Sequence, residues 1–318
     1  MSTRTKAILA VICGNTIFGF SFIFSKMALQ ITVPSVLIAV RFLTAFVVLN
    51  LIVLIGRRIR IPDRTAKAGA ARTRPLVEFS LKGKPLRYVL LLALFQPILY
   101  FLCESYGIVY TSAAFSGTII AVIPIAGIVF DVLIMHSKVR RRQVICAVLS
   151  AVGVTITTIG AEGMRSSVLG LLILLGAVTS GALFYVFSKK SGDHYNPLEQ
   201  TYVMFALGSV VYIVFALVQC RGQYHELIFS AFGEPAFVGG VLYLAILSSV
   251  AAFIALNYGT VRVTVSEASI FANLTTVISI IAGVVFLHES FSLFQVVGAA
   301  IIIGSVYFAN RPDKGDVL

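Results

Sequence analysis

Three fully charged side chains stand inside stretches that are otherwise apolar: Lys26, Arg41 and Glu104. A cation at the centre of an apolar helix costs about 2.5–3.5 kcal/mol on insertion, so an arginine there is expected to have a partner. Glu104 is the carboxylate that can neutralise Arg41, Lys26 or both. Such a charge cluster either pins helix ends together or forms a gate or a proton- and substrate-coupling site. A second set is uncharged: Asn15, Phe18, Phe22, Gln96, Tyr100, Ser180, Tyr185, Asn273 and Thr276. Side chains of these types hydrogen-bond helix to helix, or line a pocket of aromatic walls with few hydrogen-bonding groups. Asp131 and His136 lie near the basic run Lys138–Arg142, and Glu267 and Glu289 bracket a further apolar stretch, where interfacial neutralisation or solvation is expected.

Catalytic constellations are missing from the sequence. His136, His194, His225 and His288 have no metal-ligand spacing, and there is no HExxH. Only Asp131 lies in an apolar stretch, whereas an intramembrane aspartyl protease needs two aspartates; a serine protease of the rhomboid kind would want GxSxG. No Walker A or GxGxxG motif is present. Cys13, Cys103, Cys146 and Cys220 are far apart, without CxxC, and read as small buried hydrophobes. The expectation is therefore a non-enzyme without cofactor or metal.

These residues need elements to hold them, and composition says which. The chain has 318 residues, 58 % hydrophobic and only 12 % charged, with a mean hydropathy of +0.98. A soluble domain carries about a quarter charged residues, so too few polar groups remain here to cover a water-exposed globule. The arithmetic excludes an ordinary soluble enzyme, a disordered chain and a disulfide scaffold. Ten apolar stretches can be marked, at about 7–29, 35–56, 87–108, 113–135, 143–160, 168–188, 198–219, 236–257, 266–287 and 293–309. In hydrocarbon they must be helices, because unpaired backbone groups are not tolerated there. The first is read as an uncleaved span rather than a leader, since its apolar run reaches about Leu29 without a small-x-small site.

With the N-terminus in the cytoplasm, 21 of the 25 Lys and Arg fall in segments on that side, and only Arg165 and Arg221 fall in loops on the other. That bias explains the net charge of +12 without nucleic acid and places both termini inside. The long basic segment 57–86 reads as a flexible cytoplasmic linker held near anionic headgroups. At the depths this scheme assigns, Lys26, Arg41 and Glu104 lie toward the outer side and no full charge lies at mid-depth. The expected substrate is accordingly neutral or zwitterionic.

The chain also repeats itself. Residues 7–54 match 170–217 at an offset of 163, with 11 of 48 positions identical, including Phe24-Ser25-Lys26 on Phe187-Ser188-Lys189 and Pro34 on Pro197. Farther on the offset is 152, with Phe101 on Phe253 and Tyr106-Gly107 on Tyr258-Gly259. Two units follow, 7–160 and 168–309. Five spans is an odd number, so the second unit enters the membrane from the opposite side. The fold class expected is all-α integral membrane: ten transmembrane helices as two inverted five-helix repeats, an arrangement suited to alternating access around a midplane site.

Several motifs in order resemble a known family. They are GNTIFGFSFIFSK at Gly14–Lys26, PSVLIAVRFLTAF around Pro34 and Arg41, YTSAA at Tyr110–Ala114 leading to Pro124, SEASIFANL at Ser266–Leu274 and GVVFLHE ending at Glu289. The chain is similar in these to the drug/metabolite transporter superfamily, in particular its ten-span EamA-type members. The resemblance implies that spans 1–4 and 6–9 surround a central cavity while spans 5 and 10 lie outside it. It also implies a secondary transporter in the cell membrane that moves small organic metabolites such as amino acids, their analogues or drugs, commonly outward. Expected partners are the small-molecule substrate, membrane lipids and, as a candidate coupling ion, protons. Alternatives are a nucleotide-sugar or lipid-related carrier of the same fold, a non-transporting receptor and an intramembrane enzyme.

Overall fold

The computed structural model describes residues 2–62, 73–111, 116, 119–158, 167–287 and 293–310. Expectations that fall on His288, Glu289, Arg165, residues 63–72 and residues 112–114 lie outside the described residues, as do the side chains of Phe22 and Lys26. Helices occupy the ten apolar stretches. In chain order they are α1 (Thr3–Leu29), α2 (Pro34–Arg58), α3 (Leu86–Ala93), α4 (Tyr100–Tyr110), α5 (Ile123–Met135), α6 (Arg141–Thr158), α7 (Val168–Ser191), α8 (Pro197–Gln219), α9 (Pro235–Leu242), α10 (Ala252–Arg262), α11 (Val265–Ile270), α12 (Leu274–Leu287) and α13 (Leu293–Asn310). Among the described residues, seven helical segments are long and apolar enough to cross a membrane, and Ile123–Met135 and Leu293–Ala309 are shorter apolar helices.

Local chemistry sets the helix starts. Pro34 and Pro197 each stand in the first turn of a helix, where a missing N–H costs nothing. Asn196 with Glu199, and Thr264 with Glu267, form capping boxes that satisfy the first backbone N–H groups of α8 and α11. Outward faces are aliphatic, with Leu54, Leu172, Val210 and Val218 all exposed, as a lipid-facing surface requires.

Two rods are interrupted by a widened helical turn. One runs over Leu94–Leu99 between α3 and α4, where Gln96 leaves helical geometry at φ −146°, ψ 122° and Pro97 cannot donate. The other runs over Tyr243–Ala251 between α9 and α10. The Tyr212 hydroxyl donates to the Ile98 carbonyl at 2.8 Å, giving a polar partner to backbone beside the first interruption.

The most extensive pairings join helices from before residue 160 to helices from after residue 167. α1 packs on α10 and α12, α7 packs on α4 and α5, α2 crosses α8, and α6 lies along α13. Close approach depends on small residues: a Cβ on Gly208 of α8 would come within 2.7 Å of Pro97 Cγ. The two halves thus interleave, and the core they share contains Phe42, Phe184, Phe205, Tyr212 and Phe253.

The segment expected to be a flexible linker is partly built in. Arg60–Pro62 (β1) pairs antiparallel with Thr73–Pro75 (β2), Ile61 opposite Arg74. The chain then forms a strap. Leu76 and Val77 donate to the carbonyls of Ile59 and Gly56 of α2. Arg57 donates to the Phe79 carbonyl and lies over its ring. Beyond that, Ser80 N–H and Lys84 both reach Glu199 of α8, and Asn196 Nδ2 donates to the Glu78 carbonyl. The expectation of a loose linker fails for residues 73–84 because α8 offers a buried carboxylate to bind them.

Candidate functional site

Arg41 belongs to the second turn of α2 and is only 7 % exposed. Its Nε donates to Ser249 Oγ at 2.8 Å and its Nη2 to Ser248 Oγ at 3.0 Å. Both serines lie in the widened turn, at the midpoint of the 28-residue segment Pro235–Arg262. The length of the arginine side chain therefore brings its positive charge to the middle of that segment. The guanidinium carbon also lies 5.3 Å from the Phe101 ring centroid and 5.5 Å from that of Phe42. Cation–aromatic contacts of this kind are worth up to about 2 kcal/mol when desolvated.

Glu104 is one turn beyond Tyr100 on α4, and the Tyr100 hydroxyl donates to its Oε1 at 3.1 Å. Arg41 and Glu104 are near enough for their charges to act on each other. Yet among the described residues no ion pair joins them, and the direct partners of the guanidinium are serine hydroxyls rather than the expected carboxylate. Gln96, Tyr100, Phe101 and Glu104 all retain accessible surface.

Aromatic rings connect the neighbourhood. Phe18 meets Phe253 edge-on at 5.2 Å, Phe253 meets Phe205 at 5.3 Å, Phe205 meets Phe42 at 5.2 Å, Phe42 meets Phe101 at 5.3 Å, and Phe101 meets Tyr100 at 5.3 Å. Phe184 carries the series from Phe253 to Tyr185. Tyr185 is close enough to Tyr100 for their hydroxyls to interact electrostatically. Edge-to-face pairs contribute about 0.5–1.5 kcal/mol each beyond area burial, so this series is stiff as well as apolar.

The structure thus brings together Arg41, Glu104, Tyr100, Tyr185 and Phe18, with Gln96 at the nearby break in its helix. Others have structural partners. Asn15 donates to the Val11 carbonyl at 2.8 Å and accepts from Thr275 Oγ1 at 3.2 Å, joining α1 to α12. Asn273 donates to the Ala121 carbonyl and to Ser150 Oγ, both buried. Ser180 is buried beside Gly181, whose Cα faces the Tyr100 ring, and Thr276 is half-buried. Sequence reasoning missed Ser248 and Ser249. The signal was two adjacent hydroxyls in the middle of an apolar run, the cheapest available acceptors for a buried arginine.

The end of the bundle that carries the start of α1 is built differently. Arg4 pairs with Glu267 at 2.8 Å and Lys84 with Glu199 at 2.5 Å. Asp131, only 1 % exposed, accepts from Ser266 N–H at 3.0 Å and Ser266 Oγ at 2.6 Å. It was expected near the Lys138–Arg142 run at an interface, but the start of α11 supplies its hydrogen bonds instead. Glu267, only 8 % exposed, is held by Arg4 and its own capping box. Lys189 donates to the Val263 carbonyl, tying α7 to the end of α10.

A search for related proteins agrees with this architecture. The profile of the EamA-like transporter family matches residues 5–159 and again 168–311. The chain is 32 % identical over 314 residues to the uncharacterized transporter YcxC of Bacillus subtilis (strain 168), covering 96 % of this chain and 93 % of that one. It is 22 % identical over 296 residues to an uncharacterized transporter of Archaeoglobus fulgidus, covering 93 % and 95 %. A solved crystal structure shares the fold with a TM-score of 0.76 at 16 % identity, over 96 % of this chain and 97 % of the other. With most of its length covered by two successive matches to one family profile, the chain is a multi-pass membrane protein that belongs to the EamA-like transporter family.

Proposed function

We propose that the protein is a secondary transporter that exports small organic metabolites across the cell membrane by alternating access. In this reading ten helical rods span the bilayer as two inverted five-helix repeats, with both termini in the cytoplasm. Three features support the arrangement. The helix pairings are reciprocal: α1 on α10 has its counterpart in α7 on α4, and α1 on α12 in α7 on α5. The widened turns at Leu94–Leu99 and Tyr243–Ala251 overlap at the repeat offset of 152. Basic residues concentrate on the face assigned to the cytoplasm.

The observation that carries transport itself is the partly accessible surface of Tyr100, Phe101 and Glu104 beside the buried Arg41. A site of rings and a few polar groups suits a small solute better than a polyanion, since one arginine cannot neutralise several phosphates. Expected site residues are Gln96, Tyr100, Tyr185 and Phe18, with Arg41 and Glu104 as the charged pair. Purified protein in liposomes should move a labelled small metabolite and be saturable. Absence of flux for every solute in a panel of amino acids, analogues and cationic drugs would remove the reading. Imposing and collapsing a proton gradient then tests coupling, with Glu104→Gln expected to abolish any proton dependence. Labelling of single cysteines at positions 194 and 222 should report opposite faces of the membrane.

A further inference from the structure

We infer that the chain carries a binding site for one anionic phospholipid, in an open cleft beside the strap. The inference needs only that the chain spans a membrane, and it stands apart from the transport reading. The cleft has a volume of about 700 Å³, within the range of small-molecule sites. One wall is the strap, from Arg74 to Glu78, and the floor is the start of α8, from Asn196 to Leu198. The other wall is Ala251, Ile254, Ala255 and Tyr258.

Helix periodicity explains why α10 offers that wall. Leu256 and Gly259 meet α1 at Gly14 and Val11. Phe253 and Asn257 meet α7 and α8, through the rings of Phe184 and Phe205 and through bonds with Ser188 and Thr201. At about 100° per residue the side left over carries 251, 254, 255 and 258, and all of these are half-buried. From Tyr258 to Ala251 the wall runs about 10 Å along the axis, from near the helix end into the apolar layer. Water gains nothing from such a surface, whereas an acyl chain buries it.

The mouth has the opposite chemistry. Arg74 stands exposed on the strap wall. On the α10 wall the guanidinium carbon of Arg262 lies 3.8 Å from the centroid of the Tyr258 ring, and Nη1 donates to the Tyr258 carbonyl at 2.8 Å. That stack fixes a second cation at the rim. Arg58 and Arg60, both exposed, lead from α2 into the hairpin that carries Arg74. Among the described residues the acidic group on the lining is Glu78, 3.6 Å from Arg74 with both side chains exposed, a weak pair that a phosphate can displace. Arginine takes phosphate bidentately, and tyrosine is at home at the membrane–water interface. A phosphodiester joined to an apolar chain therefore matches a basic mouth above an apolar cleft. A zwitterionic lipid brings a cation to the same arginines, and a free phosphate lacks the chain.

The test uses the intact protein in detergent, stripped of lipid, with dioleoylphosphatidylglycerol, dioleoylphosphatidylcholine and glycerol 3-phosphate as probes. Native mass spectrometry counts the lipid retained, and thermal stabilisation gives relative affinity. One phosphatidylglycerol should be held at least about fivefold more tightly than phosphatidylcholine, with no stabilisation by glycerol 3-phosphate. Arg74→Gln and Arg262→Gln should each weaken phosphatidylglycerol about fivefold, as expected for one basic residue at an anionic surface, and leave phosphatidylcholine within about twofold. Arg141→Gln removes an exposed arginine at the start of α6 and should change neither lipid. Ala255→Phe fills the apolar wall without altering a charge and should weaken both lipids. Equal retention of the two lipids overturns the inference, as does stabilisation by glycerol 3-phosphate equal to that by the lipid. So does a loss in Arg141→Gln equal to that in Arg74→Gln, which marks diffuse attraction to headgroups. Unchanged lipid binding in a folded Ala255→Phe protein likewise removes the cleft as the site. None of these readouts depends on flux, so either reading can fail while the other stands.

Discussion

Glu199 and Arg41 are both full charges withdrawn from water in the same bundle, and their surroundings differ in one respect. Glu199 is saturated: Ser80 N–H reaches Oε1 at 2.7 Å, while Lys84 Nζ at 2.5 Å and Asn196 N–H at 2.9 Å reach Oε2. Arg41 has two hydroxyl partners, no carboxylate within ion-pair distance among the described residues, and donors to spare. A saturated buried charge is committed to holding its neighbours, whereas an unsaturated one is free to take a ligand. The degree of saturation, more than burial, separates the structural end of this molecule from its proposed working centre.

That contrast is broken most readily at Glu199. Glu199→Ala removes a buried partner of Lys84 and half of a capping box, and should lower unfolding stability in detergent by about 3–5 kcal/mol. A thermal melt superimposable on the wild type would mean the strap contributes nothing. Arg41→Gln should show the opposite profile. Solute binding should fall by about tenfold or more, with stability falling less than in Glu199→Ala, because the direct partners of the guanidinium are two neutral serine hydroxyls. If its melt drops as far as that of Glu199→Ala, Arg41 belongs with the structural charges.

Smaller effects sharpen the same division. Ser248→Ala with Ser249→Ala removes both hydroxyl acceptors and should weaken solute binding by roughly tenfold, about 0.7 kcal/mol per lost hydrogen bond on the guanidinium. Unchanged affinity in a binding titration would show that the serines do not orient the fork. Arg4→Ala should cost least, about 0–1 kcal/mol and less at high salt, since the arginine of the Arg4–Glu267 pair is 41 % exposed. A larger, salt-independent loss in chemical denaturation would mark that pair as part of the saturated set.

The helices were legible from the sequence because lipid leaves one backbone solution for a long apolar run. The prolines at 34 and 197 and the Asn196–Glu199 box even mark where α2 and α8 begin. Pairings across the molecule were less so. Asp131 lies 135 residues from Ser266, and nothing in a run of apolar letters says that α11 will present its first N–H groups there. Arg41 and Glu104 stood out as anomalies of charge, but their depth did not, since a long side chain can place its head well away from its own Cα. The binding chemistry of Ser248 and Ser249 was hidden for another reason: serine in an apolar helix ordinarily bonds its own preceding turn. Segment 73–84 misled because its composition is that of a solvated linker, while its order comes from α2 and α8.

That segment has a bearing on tempo. It connects α2 to α3 along the chain, yet it is fastened both to the end of α2, through Gly56 and Ile59, and to the start of α8, through Asn196 and Glu199. Those anchor points belong to different halves of the chain. Any movement that parts α2 from α8 here has first to peel these bonds away, so the connection acts as a catch as well as a tether. In the proposed alternating-access cycle, the rate of opening at this end would then be governed by a short connecting peptide rather than by the apolar rods it joins, and a replacement of equal length without those anchors would preserve the fold but change the clock.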